Sequence, residues 1–275
     1  MGMIRLNICP DNPNRIFASV GKPPGSSACT GSCNYGLYLS INGGSSWSQA
    51  YAGANYIDNQ GWYSHDVIAA PTTINTVYIS EVDMLKSTNG GTSFSKITNW
   101  AAWNLNNTTV GTQTEGTSAN YVHADHHHIY FSPFDNTYKT IFVVTDGGTF
   151  KSTNSGASFI GLNGGLMTVQ IYHRMSASVA NPGFMLCGLQ DNATMWYAGA
   201  AGSKRVIGGD GFYTAIDPIN DQTCYGSYAY LTLYKSTSGA NGLNTGTTLF
   251  NNPSSTTTST PSENACFVAP FVLAP

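Results

Sequence analysis

What this sequence has least of is charge. Lysine, arginine, aspartate and glutamate make up 9% of its 275 residues, far below the roughly 25% of an average soluble domain. With 11 basic and 14 acidic side chains, it has no means of attracting a phosphate backbone, which excludes nucleic acid as a partner. There is no basic amphipathic stretch for a membrane surface, and no run reaches the eighteen or so apolar residues of a membrane span. The opening MGMIRLNICPDNPN lacks the charged, apolar and small-residue succession of a secretory signal. Helical periodicity is almost missing as well, which points to an all-β chain.

Cysteine is sparse. Cys9, Cys29, Cys33, Cys187, Cys224 and Cys266 are too few at this length for a dense disulfide framework. Cys29 and Cys33, in the stretch ACTGSC of a Gly/Ser/Pro-rich loop, are placed for a small disulfide that would staple the loop. A zinc half-site is the alternative, but no second Cys-x-x-Cys or His pair at ligand spacing accompanies it. The disulfide reading implies an oxidising compartment, hence an extracellular or cell-surface location.

With so little charge, the surface must be covered by Ser, Thr, Asn, Gly and Tyr; the chain has 30 glycines and 16 tyrosines. Such a surface suits an extracellular β-protein that meets sugars or another uncharged matrix.

Two signals recur in fixed order. Turns rich in Pro, Asn and Asp lead into short β-branched or aromatic runs, as in CPDNPNRIFASV, APTTINTVYIS, SPFDNTYKTIFVV, ANPGFMLCGL and DPINDQTCYGS, each reading as a turn that delivers a strand. An eight-residue frame follows: SINGGSSW from Ser40, STNGGTSF from Ser87 and STNSGASF from Ser152, with a weaker form in LYKSTSGAN. The spacing is 47 residues from Ser40 to Ser87 and 65 from Ser87 to Ser152, close to one four-stranded propeller blade. The expectation is a single β-propeller domain over 1–275, with antiparallel blades near 1–50, 58–100, 119–165, 168–206 and 207–249. The segment 250–275, ending CFVAPFVLAP, reads as a tail and the first strand of a sixth blade, so the chain is taken as a piece of a larger propeller.

The frame resembles the Asp-box, or BNR repeat, of sialidases, sortilin-type receptors and propeller xyloglucan hydrolases. Longer stretches, among them GWYSHDVIAAPTTINTVYISEVDMLKSTNGGTSFSKIT, YVHADHHHIYFSPF, CGLQDNATMW and GGDGFYTAIDP, are similar to secreted bacterial BNR-repeat propellers. The resemblance implies that Ser40, Asn42, Gly44 and Trp47, Ser87, Asn89, Gly91 and Phe94, and Ser152, Asn154, Gly156 and Phe159 form structural hairpin turns between outer strands. Position three would accept backbone N–H bonds, the glycine would take backbone angles closed to other residues, and the aromatic would pack beneath the turn. The family usually has Asp at position three. Asn forgoes a charge-assisted bond, which implies a weaker turn, and it leaves the frame without a carboxylate for catalysis.

Chemistry is therefore sought elsewhere. In YVHADHHHIYF, an extended strand would turn His123, Asp125 and His127 to one face and His126, His128 and Tyr130 to the other. Those three ligand-type side chains would span about 13 Å, too far to share one ion. No cofactor is expected, and the spacing does not support bound calcium or another metal; a hydrogen-bonded network is the better reading. Asp146 in TDGG, Gln190 and Asp191 in LQDN, and Asp210 in GGDG complete an acidic, His-containing set at strand ends. Turn capping beside glycine is the plainer account of these aspartates.

Three functions follow. The first is a secreted or cell-surface module binding a glycan, surface polymer or protein, without catalysis. The second is a glycoside hydrolase using a carboxylate pair from Asp66, Asp125, Asp146, Asp191 and Asp210. A sialidase is disfavoured, since its arginine triad would have to come from Arg5, Arg15, Arg174 and Arg205 alone. The third is a structural subunit of an extracellular filament or layer that self-assembles through strand exchange. The Asn-x-Thr sequons at Asn106 or Asn107 and at Asn192 matter only in a glycosylating host.

Overall fold

A computed structural model describes residues 3–23, 35–51, 60–102, 118–163, 175–198, 203–250 and 265–273. Chain contacts group it into two compact units, one comprising 1–103 and 113–164, the other 104–112 and 165–275. The described residues form five four-stranded antiparallel sheets, each with its strands in chain order. This up-and-down four-stranded sheet is the blade of a β-propeller.

The first unit holds three sheets. Sheet 1 contains β1 (Ile4–Cys9), β2 (Asn12–Val20), β3 (Gly36–Ser40) and β4 (Ser48–Tyr51). Sheet 2 contains β5 (Asp66–Ala69), β6 (Val77–Ser80), β7 (Met84–Ser87) and β8 (Ser95–Lys96). Sheet 3 contains β9 (His126–Phe131), β10 (Ile141–Thr145), β11 (Gly148–Ser152) and β12 (Ile160–Gly161). The second unit holds sheet 4, with β13 (Ser176–Ala177), β14 (Phe184–Leu189), β15 (Ala193–Ala198) and β16 (Ser203–Ile207). Its sheet 5 has β17 (Thr214–Ile216), β18 (Cys224–Tyr228), β19 (Thr232–Ser236) and β20 (Thr247–Phe250).

Period-two alternation builds the cores. On β10, Ile141 and Val143 are fully buried and paired across to Phe131 and Ile129. They join Tyr78, Met84 and Phe150 in one apolar cluster of the first unit. A second cluster between sheets 1 and 2 centres on Phe17, Leu37, Val67, Val77 and Ile79. In the second unit Phe184, Leu186, Ile216, Cys224 and Leu243 pack together.

The repeated frame forms the turn between the third and fourth strands of sheets 1, 2 and 3, with the same bonds each time. The Ser40 hydroxyl accepts the Gly44 N–H at 2.9 Å and donates to Asn42 Oδ1 at 3.0 Å. Asn42 Oδ1 accepts the Ser46 N–H at 2.9 Å, and its Nδ2 donates to Ser46 Oγ at 2.8 Å. Ser87, Asn89, Gly91 and Ser93 repeat the pattern, as do Ser152, Asn154, Gly156 and Ser158. The amide serves both ways in each turn, its oxygen accepting the serine N–H and its nitrogen donating to the same serine's hydroxyl.

The frames also join neighbouring sheets. Gly91 has φ +90°, and a Cβ there would lie 2.5 Å from Leu37 Cδ2 of sheet 1. Gly156, at φ +86°, would place a Cβ 2.6 Å from Ile97 Cδ1, next to β8. The Ser155 carbonyl of the third frame accepts Tyr78 Oη at 3.2 Å and Lys86 Nζ at 3.1 Å, both from sheet 2. Phe159 is buried and Phe94 packs edge-on against Tyr51 at 5.3 Å. Trp47 departs from the expectation that the aromatic is buried. It is 41% exposed and folds back to donate Nε1–H to the Gly44 carbonyl at 3.0 Å.

The weaker fourth form holds the corresponding place in sheet 5, where Ser238 stands for Asn and Ser236 Oγ donates to the Gly239 carbonyl at 2.6 Å. Residues 265–273 pair with no strand among the described residues; Phe267 rests against Phe212 and Tyr230 at 5.1 and 5.4 Å. Asn192 is 2% exposed, so its sequon is closed to a glycosyl donor. Cys29, Cys33, Asn106 and Asn107 lie outside the described residues, while Cys9, Cys187, Cys224 and Cys266 are unpaired.

Replacing Asn154 by Ala removes both the acceptor for the Ser158 N–H and the donor to its hydroxyl. The expected cost is about 1–2 kcal/mol in urea denaturation, with Asn154→Asp costing less than half as much because it keeps the acceptor.

Candidate functional site

The site of the first unit is built around Asp66, the first residue of β5. Its Oδ1 accepts the Val67 N–H at 2.9 Å, while Oδ2 accepts the Ile129 N–H at 2.9 Å and pairs with His128 Nδ1 at 2.7 Å. A buried carboxylate is tolerated when donors meet its oxygens, and both partners of Oδ2 come from β9. Asp66 is therefore a joint between sheets 2 and 3.

β9 does not run straight. Thr145 pairs with His126 and Val144 with His128, leaving His127 as a bulge, and a bulge re-aims side chains. The expected facing of His123, Asp125 and His127 on one extended strand is therefore corrected. Asp125 has φ +59°, a left-handed bend that breaks the strand before His126. His126 is fully buried while His128 is exposed, so these two do not share a face either. Burial pushes His126 down to about 3, the His123 backbone offsetting only part of this; it is a neutral core imidazole.

The bulge turns His127 toward the β10–β11 turn, where Asp146 stands. His127 Nε2 lies 2.6 Å from Asp146 Oδ1, and Tyr63 Oη donates to Asp146 Oδ2 at 2.9 Å. The Tyr63 ring meets the His127 ring edge-on at 5.1 Å. Tyr63 comes from a turn whose Tyr63 and Ser64 N–H groups both bond the Gln60 carbonyl, and whose Gln60 N–H bonds the buried Glu81 carboxylate. His123 lies over Gly147 so closely that a Cβ there would sit 2.2 Å from the ring. Asn163 braces the same turn, accepting the Thr149 N–H at 3.0 Å and donating to the Gly147 carbonyl at 2.8 Å.

Asp125 completes the group. Carboxylate oxygens of Asp125 and Asp146 lie within 4.8 Å of each other, and the Asp146 N–H donates to the Asp125 carbonyl at 3.3 Å. Burial raises the Asp125 carboxyl above its ordinary value and the nearby Asp146 charge adds to this. Burial would raise Asp146 too, but the bonds from His127 and Tyr63 outweigh it and hold this carboxyl low. The bond to Asp146 holds the His127 imidazole high, against the opposing effect of burial. Two neighbouring carboxyls thus have different proton affinities, the arrangement that separates a hydrogen-bond donor from an acceptor.

In the second unit Asp191, at φ +60°, occupies the β14–β15 turn. Its N–H donates to Asp210 Oδ1 at 3.1 Å, and the Gln190 carbonyl accepts Asn192 Nδ2 at 3.1 Å. LQDN and GGDG therefore meet, in keeping with the turn-capping account. Tyr228 lies near both carboxyls; burial raises its phenol, and Asp210 and Asp191 raise it further.

Sequence reasoning did not single out Trp62, Tyr63 or Glu81. The available signal was GWYSHD, two aromatics ahead of a dense polar triplet in a chain short of charge.

No family model matches the chain, and no curated protein matches it. Among solved structures it is similar to an ancestral GH74 enzyme, at 17% identity and a TM-score of 0.38 over 83% of this chain and 28% of that one. It is similar to the GH74 xyloglucanase from Xanthomonas campestris, at 15% identity and a TM-score of 0.36 over 86% of this chain and 37% of that one. A third is YCF48 bound to D1 peptide, at 11% identity and a TM-score of 0.32 over 86% and 80% of the two chains. The chain spans about a third of the length of the two GH74 enzymes.

The His127–Asp146 pair carries a pH dependence. His127, raised when folded, contributes stability fully present below its ordinary 6.5 and lost as pH rises through the folded value. Asp146, lowered when folded, contributes stability present above its ordinary 3.8 and lost as pH falls through the folded value. The pair is therefore at full strength between pH 3.8 and 6.5. In an NMR titration His127 is expected to deprotonate above 6.5, and Asp146→Asn to bring its midpoint down; an unmoved midpoint would refute the pairing.

Proposed function

We propose that this chain is part of an extracellular propeller of the Asp-box type that binds a glycan through the site of its first unit, without cleaving it. The observation that carries this reading is the pair of exposed aromatics beside the polar group. Trp62 and Tyr63 are 44% and 39% exposed with ring centroids 5.7 Å apart, and Tyr63 is itself bonded to Asp146. Aromatic faces suit the C–H surfaces of a sugar ring, while carboxyls and imidazole suit its hydroxyls. The low charge of the chain suits an uncharged polymer. The frame supports the Asp-box assignment, since its serine, asparagine and glycine make the same turn three times. Extracellular placement rests on that assignment and on the composition; among the described residues no helix is long and apolar enough to cross a membrane.

Asp146 has both oxygens engaged, by His127 and by Tyr63, which favours a fixed acceptor over a nucleophile. Isothermal titration against neutral oligosaccharides is expected to show binding that Trp62→Ala weakens about tenfold or more, the cost of losing an aromatic anchor. Failure of every neutral glycan to bind would overturn the reading.

The glycoside hydrolase reading has one observation in its favour. Carboxylate oxygens of Asp125 and Asp146 lie within 4.8 Å of each other, on the short side of the roughly 5–9.5 Å range of glycosidase pairs, and the two carboxyls hold their protons differently. Release of reducing sugar that is abolished in both Asp125→Asn and Asp146→Asn would establish it; unchanged release in either would dismiss it.

A further inference from the structure

We propose that the second unit carries a separate binding site for a neutral sugar residue, in the cleft between the outer ends of sheets 4 and 5. The cleft has a volume of about 440 Å³, within the roughly 300–1,000 Å³ of small-molecule sites. One wall is aromatic. Trp196 on β15 is held by the Phe184 ring edge-on at 6.0 Å and by Lys204 Nζ at 5.4 Å from its ring centroid. The other wall is polar, presenting Asp221, Gln222 and Asn241, with Asn181 at the mouth.

These polar groups are positioned before any ligand arrives. Asp221 Oδ2 accepts Ser178 Oγ at 3.1 Å and its Oδ1 accepts Gln222 Nε2 at 3.3 Å. The Gln222 carbonyl accepts the Gly239 N–H at 2.8 Å. Gly239 has φ +75°, and a Cβ there would stand 3.3 Å from Gln222 Oε1, so glycine lets the two turns close together. The Asn181 turn is fixed by its own N–H to Ser178 Oγ at 3.0 Å and by its carbonyl accepting the Phe184 N–H at 2.8 Å. Such preorganisation lowers the ordering cost of binding.

The lining selects the ligand class. It holds one carboxylate, Asp221, and no lysine or arginine; Lys204 bears on the Trp196 ring rather than lining the cleft, so the charge facing a ligand is the carboxylate's, which disfavours phosphate, sulfate and uronic acids. Amide groups that both donate and accept, beside an indole and a phenyl ring, match a ring with alternating hydroxyl and C–H surfaces. This site is built entirely within the second unit and does not depend on the Trp62–Tyr63 reading.

The test uses the whole chain labelled with ¹⁵N on the tryptophan indoles, titrated with glucose, galactose, mannose, N-acetylglucosamine and cellohexaose, and with glucuronate as the anionic control. The Trp196 cross-peak is the one missing from Trp196→Phe. It is expected to shift saturably with at least one neutral sugar, and Gln222→Ala and Asp221→Asn are each expected to weaken that binding about tenfold, the loss of one charge-assisted or neutral hydrogen bond. Trp62→Ala should leave this response unchanged, which separates the site from that of the first unit. No shift of Trp196 with any neutral sugar, a shift unaffected in both cleft variants, or glucuronate binding as tightly as glucose would overturn the proposal.

Discussion

The geometry of the first unit depends on one buried carboxylate. Asp66 takes two donors from the start of β9, and so fixes where that strand begins relative to β5. With Ile129 and His128 anchored, the extra residue at His127 has to be absorbed as a bulge, and the bulge aims His127 at Asp146. Removing either donor would leave a carboxylate in an apolar core with its charge less compensated. The site is thus the visible end of a packing decision taken between two sheets.

The scaffold around it is held by turns that serve as contacts. Each frame closes a hairpin in its own sheet, and in sheets 2 and 3 the frame glycine meets the preceding sheet where a side chain would collide. The hairpin turn and the sheet-to-sheet fit are therefore one constraint. This is why glycine recurs at a position that backbone angle alone would let asparagine share.

The fold was legible because its signals are local. Turn residues, short β-branched runs and a repeated frame each act within about ten residues, and the spacing of Ser40, Ser87 and Ser152 revealed the repeating sheet. The site was legible only in part. Asp125, His127 and Asp146 stood out as unusual in a chain with little charge, and they do come together. Their arrangement was not legible, since period-two reasoning assumes an unbroken strand, and neither the left-handed backbone of Asp125 nor the bulge at His127 has a local signature. Asp66 shows the same boundary: its type suggested chemistry, whereas its partners, some sixty residues away, make it a joint. Trp62 and Tyr63 escaped notice because an exposed aromatic becomes meaningful only when its neighbours are known.

The amide at the third position of the frame has a consequence for where such a protein can work. Its oxygen and nitrogen are both satisfied with no net charge, so these turns have no proton to lose or gain and no ion pair for salt to screen. An aspartate there would tie the hairpins to the acidity and ionic strength of the medium. The chain instead separates a framework indifferent to the acidity and salt of its solvent from a small polar centre that responds to them.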